Sequence, residues 1–160
     1  MMELTHTHTS IPQPTRVDPP EDRWFIDSRV RIHADGLVEQ WGPKGDMPPL
    51  HVHHHEEETF HVLEGELTLF YGDQQVTASA GSTVVAPRGI PHTYCVESTT
   101  AHWLLVTPSA EFSSFVADMS EPAPAAELPP RGRPADPAAL GARAAQAGIE
   151  ILGPPGALPA

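Results

Sequence analysis

Three residues that can ligate a metal lie close together in the run GDMPPLHVHHHEEETFHVLEG, which covers residues 45–65. If residues 50–53 are extended, the alternation of side chains along a strand places His51 and His53 on one face. Glu58 begins the next apolar run, whose alternation allows its side chain to face the two histidines. Two imidazoles and a carboxylate that converge on one point would form a chelating site for a transition metal.

A fourth potential ligand, His92, follows in the run GSTVVAPRGIPHTY. Three neutral imidazoles and one carboxylate suit iron, nickel, manganese, cobalt, copper or zinc, and they leave coordination positions for water or a substrate. We therefore expect one divalent transition metal per chain. The ligand types do not select among these metals, because affinity order and supply in the cell matter as much as geometry.

The spacing of these residues resembles the two sequence motifs of the cupin family. The first motif is matched, in order, by Gly45, His51, His53, Glu58 and Gly65. The second motif is matched by Gly81, Pro87, Gly89 and His92, although Val96 stands where that motif often has asparagine. Glu57 is the alternative carboxylate, because the motif permits three or four intervening residues. Only Glu58, however, is followed by six residues and then a glycine.

The resemblance implies an all-β fold, a cupin jelly-roll β-barrel with short C-terminal helices. Because the chain has a single motif pair, it is similar to the monocupins likened to quercetin dioxygenase. This similarity implies a metal-dependent oxygenase that acts on a small enolic or aromatic substrate. Its metal ligands would be His51, His53, Glu58 and His92, and Glu58 would also accept a proton from the substrate.

Two other functions fit the same residues. The first is non-redox catalysis by a cyclase, isomerase or decarboxylase, in which the metal polarises a carbonyl group and no oxygen is consumed. The second is a binding protein that holds a small molecule without turnover. The intact ligand set argues against the binding protein, since cupins without catalytic activity often lose one or more of these residues.

Composition and periodicity divide the chain into five segments. We expect a flexible arm, the barrel, a short amphipathic helix, a proline-rich linker, and a helix with an extended tail, over residues 1–20, 21–110, 111–120, 121–137 and 138–160 respectively. Asp136 and Pro137 match the N-cap and the first position of the last helix. Gly148 stands where a left-handed C-terminal cap is expected.

The charge balance bears on the partners of the protein. The 160 residues carry 21 acidic and 9 basic side chains, a net charge of −12, which would repel nucleic acid and anionic membranes. A small organic molecule is therefore the expected partner. No run approaches the about 20 apolar residues of a membrane span. The single cysteine and the lack of a basic start before an apolar stretch favour a cytoplasmic protein.

Most of the ten histidines are expected to lie outside the metal site. His6 and His8 belong to the predicted arm. In the loop between the ligand strands, His54 and His55 should either be exposed or contact a ligand without binding the metal, and Glu56 and Glu57 should be exposed. His61 should face away from Glu58 because the two differ in parity along the strand. For His33 and His102 two alternatives stay open: a base that points into the barrel, or a histidine bonded to a strand neighbour.

Two residues near His92 are expected to point to opposite faces of the strand, because side chains alternate along it. Tyr94 has the same parity as His92 and should point inward, where its hydroxyl can bond a substrate; the alternative is a core tyrosine with a satisfied hydroxyl. Cys95 has the opposite parity, and we interpret it as a small buried hydrophobe.

The exposed sheet edges of a single barrel bear on whether the protein forms an oligomer. A lone jelly roll must cover its sheet edges, and cupins usually do so by pairing two barrels. We therefore expect a homodimer. The candidate contacts are Thr59, His61 and Leu63, which share the outer face of one motif strand.

Overall fold

The computed structural model describes residues 14–133 and 136–160. Residues 1–13 of the predicted arm, with His6 and His8, lie outside this range, and residues 14–22 have no regular secondary structure. The described residues form twelve strands and two helices. In chain order these are β1 (Arg23–Phe25), β2 (Ser28–Ala34), β3 (Leu37–Pro43), β4 (Pro49–His53), β5 (Glu58–Glu64), β6 (Glu66–Tyr71), β7 (Gln74–Ser79), β8 (Thr83–Ala86), β9 (His92–Val96), β10 (Thr100–Val106), α1 (Glu111–Met119), β11 (Glu121–Pro122), α2 (Pro137–Gln146) and β12 (Ile149–Pro155).

The strands form two antiparallel sheets. The first sheet has the spatial order β11-β1-β2-β3-β10-β5-β8, and the second has the order β12-β4-β9-β6-β7. Strands that are adjacent in space are often distant in sequence, as β3 and β10 are, so the chain passes repeatedly from one sheet to the other. This is the double-sheet arrangement of a jelly roll.

The core lies between the two sheets, because alternate side chains along each strand point inward. In β10, Ala101, Trp103 and Leu105 are buried, whereas His102 and Leu104 between them are only half-buried on the outer face. A slip of one residue would turn the buried set outward, so burial of these side chains fixes the register of the strands. The same register positions the residues that carry the candidate site.

The C-terminal segment belongs to the barrel. Asp136 caps α2 as the sequence predicts, since its carboxylate accepts hydrogen bonds from the backbone N–H groups of Ala138 and Ala139. The expected extended tail is β12, which pairs with β4 at the edge of the second sheet. The barrel therefore extends beyond the predicted range 21–110. Prolines and glycines in residues 153–156 mask the alternation by which this strand could be recognised.

Helix α1 lies against the barrel through Phe112, Phe115 and Val116, which are buried. The proline-rich segment that follows pairs with β1 through β11 and is otherwise irregular. Two barrel side chains donate hydrogen bonds to carbonyl oxygens of this segment, Trp24 to Glu127 and Arg29 to Ala126, each at 2.9 Å. In the described residues, no helix is long and apolar enough to cross a membrane.

All four glycines of the motifs have φ angles in the left-handed region, and two of them can be compared: Gly65 at +78° and Gly81 at +88°. Their surroundings differ. A Cβ atom at Gly65 would lie 2.5 Å from both the carbonyl oxygen of Thr100 and Oγ of Ser98, whereas a Cβ at Gly81 would have no atom within 4 Å. Gly65 is therefore required for backbone conformation and for close packing, and Gly81 for conformation alone.

We expect Gly65→Ala to destabilise the protein much more than Gly81→Ala. A left-handed alanine costs about 1–2 kcal/mol in either variant. Gly65→Ala adds a collision with backbone atoms of Thr100 and Ala101 at the start of β10, so its total cost should exceed about 3 kcal/mol. Chemical denaturation of both variants measures the two costs. Equal losses of stability would show that the close approach at Gly65 is unimportant.

Candidate metal centre

Two of the candidate ligands lie on neighbouring strands of the second sheet. His51 on β4 and His92 on β9 are paired in register, and their ring centroids lie 4.5 Å apart. His53 lies two residues further along β4, with its ring centroid 5.3 Å from that of His51. The strand alternation predicted from the sequence therefore brings the three imidazoles together.

The carboxylate comes from the opposite sheet. Glu58 is the first residue of β5, and its Oε2 atom lies 3.3 Å from Nε2 of His92 and 3.9 Å from Nε2 of His53. Each of the four residues offers one ligand atom, and these four atoms lie within 4.8 Å of one another. Because the cluster joins both sheets, it forms only when the barrel is packed.

Backbone carbonyl groups orient two of the imidazoles. Nδ1 of His51 lies 2.8 Å from the carbonyl oxygen of Pro49, and Nδ1 of His92 lies 2.8 Å from that of Ile90. A carbonyl oxygen only accepts hydrogen bonds, so Nδ1 of each ring carries a hydrogen and donates it. In the neutral form of either ring, Nε2 is then the unprotonated nitrogen that can ligate a metal.

The third imidazole, His53, has no such backbone partner. It is 1% exposed, and neither of its ring nitrogens has a hydrogen-bond partner among the described residues. Nδ1 lies 3.8 Å from Oε1 of Glu56, and the other oxygen of that carboxylate accepts a 2.7 Å hydrogen bond from Ser109. Leaving a buried polar atom without a partner is unfavourable. A cation in the cluster would give Nε2 of His53 its partner, so the donor set fits a transition metal.

The electrostatics of the cluster largely favour the ligating forms. Burial lowers the pKa of His51 to about 3, assisted by the charge of His92, and burial also lowers the pKa of His53. Burial alone would raise the pKa of Glu58, but the surrounding histidines, His53 first, outweigh it and lower that pKa. His92 differs: burial would lower its pKa, but the hydrogen bond and charge of Glu58, together with the carbonyl of Ile90, outweigh burial and raise that pKa. Metal binding would therefore displace a proton from His92.

Glu56 differs from the sequence expectation. The interpretation of Glu56 as an exposed loop residue is wrong, because its side chain is 5% exposed and lies between His53 and Ser109. Ser109 precedes α1, a part of the chain that spacing within the motif cannot connect to Glu56. The neighbouring Glu57 is exposed, so the structure brings Glu58 and not Glu57 into the cluster.

The other two residues of this loop lie at the surface, as expected. His54 is exposed, and its Nε2 atom lies 2.8 Å from a carboxylate oxygen of Glu150. His55 is exposed as well, with Nδ1 3.2 Å from a carboxylate oxygen of Glu111. Neither residue belongs to the cluster.

The remaining histidines of the barrel contact strand neighbours. His33 and His102 lie on either side of Glu39, with Nε2 of each 2.8 and 2.7 Å from its carboxylate oxygens. Of the two alternatives for this pair, the structure shows the histidine that is bonded to a strand neighbour. His61 faces away from Glu58, as parity predicts, and its Nδ1 atom lies 2.8 Å from Oγ1 of Thr83.

The cluster opens into a pocket of about 520 Å³, a volume that includes the part open to solvent. Its polar lining consists of ligands from the cluster together with Gln40 and Tyr94. Most of its wall is apolar and includes Phe25, Leu105, Phe112, Phe115, Leu140 and Ile149. Spacing within the motifs could not identify the last four, because they belong to α1, α2 and β12.

Tyr94 points into this pocket, as its parity with His92 predicts, and is 6% exposed. Gln40 Nε2 donates a 2.9 Å hydrogen bond to its hydroxyl oxygen. Burial raises the pKa of Tyr94 well above its usual value, and the charges of Asp46 and Glu58 act in the same direction. The hydroxyl group is therefore neutral. Cys95, of opposite parity, is only half-buried, so its interpretation as a buried hydrophobe is wrong; it lies on the outer face of its sheet.

Comparison with known proteins finds a family model that matches part of the chain. Residues 38–107 match the Cupin_2 family model, described as a cupin domain. The chain is 29% identical over 86 residues to quercetin 2,3-dioxygenase of Bacillus subtilis (strain 168), which covers 54% of this chain and 26% of that protein. It is 31% identical over 108 residues to the oxidoreductase macE of Penicillium terrestre, which covers 65% of this chain and 37% of that protein. The chain thus matches well under half the length of either curated relative.

A solved structure gives the same answer for the fold. An oxalate decarboxylase variant from Bacillus subtilis superposes with a TM-score of 0.52 at 19% identity, over 65% of this chain and 33% of that one. Residues 38–107 therefore match a cupin domain, and the all-β jelly roll predicted from the sequence is confirmed. The cupin motifs contain all four residues of the cluster.

The position of Glu56 leads to a test of its effect on metal binding. We expect Glu56→Gln to weaken metal affinity about 10- to 100-fold, because it removes a buried negative charge that lies 3.8 Å from Nδ1 of His53 and would attract a cation held by that ring. Glu57→Gln is the matched control, since it makes the same change at an exposed neighbour. Competition with a chromophoric chelator measures both affinities. Equal affinities in the two variants would contradict a role for Glu56.

Proposed function

We propose that this protein is a metal-dependent cupin oxygenase that acts on a small enolic or aromatic substrate. The observation that carries the proposal is the cluster of His51, His53, Glu58 and His92 beside a pocket with apolar walls. Similarity to a quercetin dioxygenase and to an oxidoreductase supports redox chemistry.

We infer that the four residues of the cluster hold one divalent transition metal. When bound, the metal would supply a Lewis acid for an enolic oxygen and a site at which dioxygen and substrate meet. Glu58 would act as the proton acceptor for the substrate hydroxyl, since its lowered pKa keeps it ionised at neutral pH. Its position next to His92 places that acceptor within the cluster.

Tyr94 would orient the substrate. Its hydroxyl oxygen accepts a hydrogen bond from Gln40, and its own hydrogen would turn from Ser28 to a substrate oxygen when a substrate binds. Because its pKa is raised, Tyr94 remains a donor throughout the physiological range. A donor at Tyr94, beside the cluster, would suit a substrate that has an oxygen atom close to its metal-binding group.

The apolar wall indicates the body of the substrate. Phe112 lies beside the cluster, with its ring centroid 5.7 Å from that of His53, and Phe115 and Ile149 line the same pocket. Such a wall excludes water and favours an aromatic or otherwise apolar substrate. A charged sugar or amino acid would find few partners there.

We also propose that the protein is a homodimer. The candidate contact Thr59 pairs in register with Val106 of β10 and with Val85 of β8, so the three residues form a row on the outer face of the first sheet. Val106 and Val85 are 42% and 44% exposed, and Leu63 on the same face is 37% exposed. Burying this apolar row against a second copy would stabilise the pair.

The proposed function predicts the metal content and the oxygen consumption of the protein. We expect about one equivalent of iron, nickel, manganese or copper per chain in protein lacking residues 1–20, measured by mass spectrometry, and oxygen uptake with enolic substrates. His53→Ala and His92→Ala should lose most of the metal and keep the fold, because the barrel core does not depend on either side chain.

Other outcomes of these measurements would reject the proposal. Full metal occupancy in both histidine variants would refute the ligand assignment. A zinc-loaded protein that consumes no oxygen would instead support the cyclase, isomerase or decarboxylase alternative. A site that stays empty after reconstitution would support a binding protein.

The dimer has its own measurement. We expect Val85→Glu to convert a dimer into a monomer at micromolar concentration, because a charge buried at the contact is unfavourable. Val17→Glu, at an exposed valine outside the sheets, is the control and should remain dimeric. Size-exclusion chromatography with light scattering distinguishes the two states. A monomeric wild-type protein would rule out the dimer.

A further inference from the structure

A second cavity adjoins the metal pocket. The two cavities share the lining residues Phe25, Ile26, Gln40, Pro48, Pro49 and Tyr94, so they meet along a common wall. The second cavity has a volume of about 790 Å³, which again includes space open to solvent. It differs from the metal pocket in that Ser28 and Asp46 also line it. A ligand in the metal pocket can therefore extend toward a polar region.

A chain of hydrogen bonds follows the common wall. Gln40 Nε2 donates to the hydroxyl oxygen of Tyr94 and to Oγ of Ser28, each at 2.9 Å, and Ser28 donates to Oδ2 of Asp46 at 2.5 Å. Ser28, Gln40 and Tyr94 are 2%, 4% and 6% exposed. Buried polar groups of this kind hold one geometry, because a broken bond would leave an unsatisfied atom.

The carboxylate of Asp46 determines which group donates in each hydrogen bond of this series. Burial raises the pKa of Asp46 to about 6, against the effect of the hydrogen bond from Ser28, so Asp46 is ionised above that pH. An ionised carboxylate only accepts hydrogen bonds, so Ser28 donates to it and accepts from Gln40.

This direction fixes the orientation of the Gln40 amide. Its nitrogen uses both hydrogens within the chain, one toward Ser28 and one toward Tyr94. Its carbonyl oxygen is left without a hydrogen-bond partner among the described residues, on a side chain that lines both cavities. That oxygen is not one of the fully buried atoms that lack a partner, so the cavity reaches it and a ligand can donate a hydrogen bond to it.

We propose that the common wall is a subsite for a second hydroxyl group of the substrate, which donates its hydrogen to the carbonyl oxygen of Gln40. This inference rests on the proposed function and narrows its substrate class. The substrate would be an enolic or aromatic compound with a hydroxyl group remote from its metal-binding oxygens. Gln40 contacts the ligand, whereas Ser28 and Asp46 are positioning residues that hold the Gln40 amide in one orientation.

A pair of small chelators that differ by one remote hydroxyl group tests the subsite. Kojic acid and allomaltol share a hydroxypyranone that binds metals, and kojic acid carries a hydroxymethyl group where allomaltol has a methyl group. Isothermal titration calorimetry would compare them on the full-length cobalt(II)-loaded protein at pH 8 without oxygen. We expect wild-type protein to bind kojic acid about three- to tenfold more tightly.

Three variants show whether Gln40 causes this preference. Gln40→Met removes the acceptor at similar volume and should bring the affinity ratio close to one. Asp46→Asn should reduce the ratio while keeping both ligands bound, because an asparagine side chain both donates and accepts and no longer fixes the direction of the chain. Gln75→Met makes the first change at an exposed glutamine and should leave the ratio unaltered. If Gln40→Met does not fold, Asp46→Asn still tests whether the hydrogen bonds that hold the Gln40 amide cause the preference.

The outcomes separate this inference from the function on which it rests. A ratio near one in wild-type protein that binds metal and both chelators would overturn the subsite alone. The subsite would also be overturned if the ratio of the two chelator affinities were equal in wild type, Gln40→Met and Asp46→Asn. Failure to bind metal, with loss of both chelators, would overturn the proposed function and the subsite with it.

Discussion

The close packing of four ionisable side chains inside the barrel is the constraint on which the candidate site and its pocket depend. His53, Glu58 and His92 are at most 3% exposed, and their ligand atoms lie within 4.8 Å of one another and of His51. Their removal from water is unfavourable, and contact between Glu58 and His92 compensates only in part. A bound cation would offset the remainder, so affinity for metal and stability of the fold are linked.

Ligands and part of the pocket wall lie on neighbouring strands of the second sheet, whose backbone pairing does not depend on the side chains that β12 carries. β12 pairs with β4 so that Ile149 lies opposite His53 and Ile151 opposite His51. Both isoleucines also line the pocket. Substitutions in β12 can therefore change the shape of the pocket while the ligands stay in place. This arrangement separates substrate choice from metal binding, as expected for folds that support several chemistries.

The features that the sequence predicts are those that arise from local periodicity. Alternation within β4 and the start of β5 is enough to place His51, His53 and Glu58 on converging faces. Glu56 could not be found in this way, because its inward orientation depends on Ser109, which is 53 residues away. Gln40 and Asp46 likewise gain their roles from contacts between strands and loops that are distant in sequence. Contacts of this kind require the assembled barrel.

The charge of the protein bears on the form in which a substrate reaches the site. With a net charge of −12, the surface attracts an enolate less than the neutral enol, so the neutral form is favoured for entry. The apolar wall adds to this preference, since it desolvates a charged ligand without compensating it. Deprotonation is then best carried out inside the pocket. Under the proposed function, Glu58, ionised and adjacent to the imidazoles that would share the metal, would be the base in the position where the resulting anion is stabilised.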